Sequence, residues 1–426
     1  MSKVCFFSGT VGLAMVASTA AISGGFSRGG VDFSLLYSDK KIESEAGFRF
    51  VAPQRTIDSA TRLVNTSNLF GTTTAPITTT DNDVTGGFFV PKAAFKVGIG
   101  DHGDCVGTFS TPFGADVENG LNTALSGNIV EFEIDTKDYG LTCSAKFNVG
   151  TTPLGEGRLR VIGGGSFLQF EGFLSRQSLV DFVGIPGAAL PPLVTGLDAQ
   201  GVGLFELEDN AFGWRAGLAY EIPKSAVRVS AVYSSSYDID ASGTVDISGF
   251  NTPVALANPT SPITLSTVFP QQIDVNIQSG INEKTLAFAR FNWTDWSELG
   301  SIPVEGVLSA VSGAPLPTSF DPIFQDGYTI TGGLGRTIAE NLSGQLAITW
   351  DRGTSSTRGS QSDTWLLSTG VDYKVSDNIS AQLGGAVGIL TSGSTPGLGG
   401  DPTTATAETF GNDFIGAFTA NAKIRF

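Results

Sequence analysis

Histidine occurs once in these 426 residues, methionine twice and cysteine three times, and each shortage removes a class of chemistry. The one imidazole, His102, lies in "GDHGD", which reads as a tight turn. No nucleophile or further ligand stands within a few residues of it, and Ser-His catalysis or a His-metal centre would need such partners. No CxxC, HExxH, Walker or GxGxxG signature occurs either, so the sequence implies no enzyme, no metal and no other cofactor. Basic residues are few, 25 against 41 acidic ones, and the net charge of −16 argues against nucleic acid or an anionic membrane surface as partner. Long apolar runs are missing with one exception, "VCFFSGTVGLAMVASTAAIS", which follows Lys3 and ends in small residues from Ser18 to Ala21. With no charged stop-transfer cluster after it, this run reads as a secretory signal peptide over residues 1–21, and only its length suggests an anchor helix. Removal of the signal takes Cys5 with it and leaves Cys105 and Cys143 in an oxidising compartment. Spacing leaves open whether those two pair or are unrelated small apolar residues.

What remains is rich in glycine, with 55 Gly, only 15% charged residues and 10% aromatics. That is too apolar for disorder and too polar for a bundle of membrane helices, and an all-β chain fits best. The closing stretch "NDFIGAFTANAKIRF" shows the pattern. Phe414, Gly416, Phe418, Ala420, Ala422, Ile424 and Phe426 share one parity, while Asp413, Thr419, Asn421, Lys423 and Arg425 share the other, which is strand period. About fourteen such segments follow one another from Glu45 onward, from "EAGFRFVAPQR" through "GGFFVPKAAFKVGI" and "RLRVIGGGSFLQFEGF" to the closing strand.

The connections alternate between short turns, such as "GDHGD", "TPLGEG", "PKSA", "NEK" and "SDN", and long loops near residues 56–85, 114–128, 174–210, 248–270, 299–325, 354–360 and 393–411. Alternation of this kind is expected of an up-and-down membrane barrel with short turns on one rim and long loops on the other, not of a Greek-key sandwich. Trp214, Leu218, Leu346, Ile348, Trp365 and Leu367 lie opposite Arg215, Gln345, Thr349 and Ser368. Such glycine-rich, polar inner faces would make a poor dry core, so the apolar face is read as facing lipid. The alternation slips once: Phe132 and Ile134 are even-numbered, whereas Tyr139, Leu141, Cys143 and Phe147 are odd. Either a bulge lies near Lys137 and Asp138, or the strand leaves the bilayer there and continues above it.

The order of "TFSTPFGAD", "GWRAGLAYEIPKSAVRVSAVYSSSYDIDASG", "ARFNWTDWSEL" and the C-terminal strand resembles the FadL/TodX family of outer-membrane transport proteins for long-chain fatty acids and other hydrophobic compounds. The resemblance spans most of residues 86 to 426. It implies a fourteen-stranded transmembrane antiparallel β-barrel over residues 45–426, plugged by a small N-terminal hatch over 22–44. It further implies passive uptake, with the ligand leaving sideways beside a kinked third strand. The hatch would use Phe33, Leu35, Leu36 and Tyr37 of "RGGVDFSLLYSD", in place of the Asn-Pro-Ala commoner in the family; a free tail is the alternative, disfavoured because "FSLLY" is too apolar to leave in water. The kink would lie at Gly107, Pro112 and Gly114, since Pro112 cannot donate a ladder bond, although Pro112 could equally just end the strand at the outer rim. Phe426 resembles the terminal aromatic that such barrels present to the barrel-assembly machinery, in a protein whose outer surface meets outer-membrane lipid.

The stretch from Phe170 to Asn210 reads as an unusually apolar exposed loop, and an exposed apolar patch marks a binding site or partner contact. Phe170, Phe173, Leu174, Leu179, Phe182 and Leu193 are the candidate ligand contacts. Arg176 could pair with a fatty-acid carboxylate, or simply with Asp181 or Glu171. Three rival functions remain: a general porin for small hydrophilic solutes, a barrel lipase using His102, and a surface adhesin working through its loops.

Overall fold

The computed structural model describes residues 24–68, 71–181, 198–250, 258–308, 313–396 and 406–426. Fourteen antiparallel strands close into a single barrel. They are β1 Ile42–Pro53, β2 Phe88–Ile99, β3 Gly103–Ser110 resuming at Gly114–Glu118, β4 Glu131–Thr152, β5 Gly155–Asp181, β6 Asp198–Ile222 and β7 Val227–Ser234 resuming at Tyr237–Asp246. The second half comprises β8 Thr260–Phe269 resuming at Gln272–Asn282, β9 Thr285–Thr294, β10 Gly327–Ala339, β11 Leu342–Asp351, β12 Thr364–Lys374, β13 Ile379–Leu390 and β14 Asp413–Arg425. β14 closes on β1 in a register running from Glu43↔Arg425 to Pro53↔Ile415. Each segment picked out by its alternation corresponds to one of these strands. β1 begins slightly earlier than the Glu45 boundary read from the sequence, at Ile42.

The two faces separate as the parity requires. Phe89, Leu141, Phe212, Trp214, Leu346, Ile348, Trp365, Phe414 and Phe418 are exposed on the outside, whereas Glu45, Lys96, Asp138, Arg160, Thr349, Asn421 and Lys423 are buried within. Apolar side chains left exposed in a band around the wall have only lipid as a suitable solvent. The short turns all fall on one rim, where the Phe426 N–H donates to Ile42 O at 2.9 Å.

The slip in β4 is not a bulge. Its pairing with β5 runs without a shift from Glu131↔Ser175 to Asn148↔Arg158, so Phe132, Ile134, Asp138 and Thr142 all point inward and all are buried. What changes is the surroundings: lower down the outside is lipid and the inside polar, and higher up the outside is water and the inside apolar. The strand has left the bilayer.

The supposed loop from Phe170 to Asn210 is corrected for the same reason. β5 and β6 stay paired from Arg158↔Glu221 up to Asp181↔Asp198, and a strand of 27 residues at about 3.3 Å per residue far outreaches a hydrocarbon core about 30 Å thick. The upper parts of β3 to β8, extended by Ile302–Glu305 and Thr318–Phe320, form a sheet standing above the rim. Beside it a four-stranded sheet joins Thr56–Asn68, Gly71–Asp83, Gly393–Thr395 and Thr406–Phe410.

Cys105 and Cys143 are directly opposed across β3 and β4 and form a disulfide closing 38 residues of chain. They share the lipid-side face with Leu141 and Phe109. Loop-closure entropy at that separation is worth about 3–4 kcal/mol. The double variant Cys105→Ser with Cys143→Ser should therefore unfold in urea about that much more easily, followed by tryptophan fluorescence in detergent; an unchanged midpoint would contradict this.

Candidate functional site

At bilayer level the inner wall is a network of paired charges. Asp104 receives Lys96 at 3.1 Å, Lys146 at 2.9 Å and Arg160 at 2.8 Å, and Arg160 also reaches Glu221. Asp138 pairs with Arg215 at 2.6 Å and accepts from the Tyr237 hydroxyl at 3.1 Å. Charges buried in this way are tolerable only because each is matched.

The N-terminal segment sits against these residues. Leu35 and Leu36, on a short 3-10 turn Ser34–Tyr37, are buried against Val106, Ile162, Ala219 and Val232. The Tyr37 ring lies under Arg228 at 4.1 Å and Arg160 at 5.4 Å, and Phe33 lies 5.6 Å from Arg215. Asp32 is 3.5 Å from Lys92, which also holds Glu45 at 2.9 Å. Weakly hydrated guanidinium groups stacked on rings are a natural way to seat aromatics in a polar lumen.

Above the bilayer the lumen turns apolar. Phe26 lies at the centre, with ring centroids 5.7 Å from Phe132, 5.9 Å from Trp296, 6.3 Å from Phe320 and 5.2 Å from Phe324. Phe113, Phe170 and Phe269 continue the cluster, and Leu174 and Leu207 pack against it. A cavity of about 280 Å³ opens there, walled by Phe26, Ile57, Leu125, Phe132, Phe320 and Phe324. Charged groups line it too: Arg28 and Asp116, and a second set of Arg176, Asp321, Arg358 and Glu408. Arg176 donates to Ser319 O at 2.9 Å, and Arg358 lies 3.5 Å from Asp321. Burial lowers the Arg176 guanidinium to about 10, still charged at neutral pH. Burial pushes the nearby Glu408 carboxyl up to about 7, against the pull of Arg358.

The sequence candidates are distributed as follows. Phe170, Leu174 and Arg176 come together at this chamber. Phe173 does not: it stands opposite Glu133 and Glu206, on the outward face of the upper sheet. Arg176 is not the partner of Glu171, which pairs with Lys137. Leu179 continues β5, while Phe182 and Leu193 lie outside the described residues, as does the signal segment 1–21. Phe26, Phe113, Phe320, Phe324, Arg358 and Glu408 were not singled out from the sequence, because they come from the N-terminal segment, the break in β3, or connections whose strands are too short to show a period.

The third strand is broken where Pro112 stands. Gly107 remains in regular pairing with Phe95 and Leu141, so the irregularity begins above it. β2 and β3 pair up to Lys92↔Ser110 and meet again only at the Thr85↔Val117 bridge. Among the described residues no strand pairing joins them in between. There the N-terminal segment takes over: Arg28 N donates to Pro112 O at 2.8 Å, Gly114 N donates to Phe26 O at 2.7 Å, and Ser27 bridges Phe113. The Phe113 N–H is further satisfied by Thr136 Oγ1 at 3.1 Å.

A closed barrel with an occupied lumen and a greasy chamber at its outer mouth is the build of an outer-membrane transport protein for poorly soluble molecules. The chain belongs to the outer membrane protein transport protein family (OMPP1/FadL/TodX), whose model matches residues 35–385. Solved structures agree in fold. A Pseudomonas aeruginosa FadL homologue superposes with a TM-score of 0.71 at 14% identity, over 92% of each chain. The Ralstonia pickettii toluene transporter TbuX gives 0.55 at 17% identity, over 92% of this chain and 91% of that one. The CymD monoaromatic hydrocarbon channel gives 0.58 at 14% identity, over 92% of this chain and 90% of that one. No curated protein sequence matches the chain significantly.

The two faces of the upper sheet make opposite predictions. Phe132→Ala should weaken binding of an apolar fluorescent probe by about tenfold or more, as expected for losing a buried aromatic wall. Phe173→Asp, on the outer face, should leave it unchanged, and fluorescence titration of both variants in detergent would show a reversal if the chamber were misplaced.

Proposed function

We propose that this protein takes up long-chain fatty acids or related hydrophobic compounds passively, by capture in the chamber around Phe26 and Phe132, passage beside the 24–41 segment acting as a hatch, and sideways release at the break in β3. The observation that carries the reading is the chamber itself: aromatic walls from Phe26, Phe88, Phe132, Phe320 and Phe324, with the guanidinium groups of Arg176 and Arg358 and that of Arg28 on its lining. Such a site suits a molecule with an apolar body and an anionic head.

The monoaromatic compounds named for CymD and TbuX form a second reading, favoured by size alone. A cavity of about 280 Å³ exceeds the roughly 150 Å³ that accepts benzene in a protein core. The paired guanidinium groups favour the carboxylate. A general porin is disfavoured by the lumen contacts of Phe33, Leu35, Leu36 and Tyr37, which a water-filled pore does not need.

Mass spectrometry of whatever copurifies in a non-displacing detergent tests the reading. Fatty acids or other apolar carboxylates are expected; an empty protein that conducts a large, steady current in a planar bilayer would overturn it.

Glu408 adds a pH dependence. Its carboxyl, raised to about 7, is mostly neutral below that pH, which removes one of the carboxylates that face Arg358 and leaves Asp321 beside both arginines. Above it the Glu408 anion competes for Arg358 and repels an incoming head group. An alkyl sulfonate, whose own charge does not change in this window, should bind several-fold more tightly at about pH 6 than at about pH 8. Glu408→Gln should abolish the difference, measured by calorimetric titration.

A further inference from the structure

The break between β2 and β3 is closed by a side chain as well as by backbone. Above the break the parity of β3 reverses. Ala115 and Val117 oppose Ile134 and Phe132 and pack inward, whereas Gly114 and Asp116 oppose Asp135 and Glu133 on the outward face. Arg28 starts from the lumen side, where it borders both the chamber and a smaller cavity of about 50 Å³ beneath it. Its guanidinium nevertheless lies on the outward side of Gly114: a Cβ added there would collide with Arg28 Nε and Cζ. In that position Nη2 donates to Ala115 O at 3.3 Å, Nη1 is 3.9 Å from Asp135, and the cation lies 4.9 Å from the centre of the Phe88 ring. One side chain thus touches β2, β3 and β4 at the only seam of the β2–β3 wall that strand pairing leaves open among the described residues.

We propose that Arg28 is the latch of this opening, its side chain filling the seam between β2 and β3 and withdrawing when a hydrophobic molecule leaves the chamber sideways. The inference rests on sideways release being the route. Arginine suits the task because its flat, weakly hydrated cation stacks on Phe88 while keeping hydrogen-bond donors for Ala115 and Asp135. Gly114 is what admits it, since no other residue leaves that space empty. The Cys105–Cys143 bridge ties lower β3 to β4, so the edge free to part is the one facing β2. Because Arg28 also borders the chamber, a passing carboxylate can replace Asp135 as its partner, which lowers the cost of withdrawal.

The test uses the full chain in lipid vesicles. An anthroyloxy-labelled stearate is bound first, and its transfer to the bilayer is followed by energy transfer to a lipid-anchored acceptor. Arg28→Ala should speed transfer roughly tenfold, the size expected for losing a cation–π contact and a charge-assisted hydrogen bond. Gly114→Ala, which evicts the guanidinium, should speed it similarly. The double variant should be no faster than Arg28→Ala alone, because both changes remove one device. Arg28→Lys should fall between. Asp135→Asn leaves the N-terminal segment and the break untouched and should give a smaller acceleration, which keeps the test available if Gly114→Ala does not fold. An unaltered rate in Arg28→Ala, or a Gly114→Ala slowing that persists without Arg28, would overturn the latch while leaving sideways release standing. Probe appearing in the aqueous phase on the short-turn side, with no transfer to the bilayer in any variant, would instead overturn sideways release itself.

Discussion

Lipid offers no hydrogen bonds, so every backbone N–H and C=O that crosses it must find a partner within the protein. The closed ring of fourteen strands follows directly, and so does the treatment of the seam between β2 and β3. Where Pro112 interrupts β3, the backbone of Phe26 to Arg28 supplies what the neighbouring strand does not. The break lies between the Ser110↔Asp138 and Gly114↔Asp135 pairs, at the level where β4 leaves the bilayer, and the bonds that β2 does not make there have to come from elsewhere in the protein. The N-terminal segment makes them, so the lumen segment and the wall are joined at that point.

The same solvent argument explains the chamber. Within the bilayer the outside must be apolar, so polar and charged residues go inside and are paired off around the N-terminal segment. Beyond the headgroups water surrounds the strands, and the preference inverts: Phe132 and Ile134 lie on the very face that carries Asp138 and Thr142 lower down. Extending β4 to β8 past the rim therefore creates an apolar interior with no change of register, and the chamber sits at the level where a molecule leaving water would first meet the protein.

The strands were legible because parity survives even where the identity of the faces changes, and the loop rhythm placed both rims. The binding region was legible only in part. Apolar residues from Phe170 onward announced themselves, but without a partner strand in view they read as a loop, so Phe173 and Leu174 could not be assigned to opposite faces. Arg358 and Glu408 are far from Arg176 in sequence, the first in an irregular connection and the second on a five-residue strand within a long one, where no spacing rule signals contact. Arg28 carried no signal at all, because its role depends on a glycine nearly ninety residues away. The alternatives left open at Cys105 and Pro112 were decided by register: the cysteines oppose each other, and β3 resumes after the proline rather than ending there.

Photo-crosslinking with a diazirine-bearing long-chain fatty acid, mapped by peptide mass spectrometry on the protein in native-like bilayers, tests the central claim most directly. Capture in the chamber followed by exit at the seam predicts adducts around Phe26, Phe132 and Phe320 and along the edges Phe88–Pro91 and Gly114–Val117. Adducts concentrated among the lumen residues near Arg228 and the short-turn rim, with none at the seam, would contradict it.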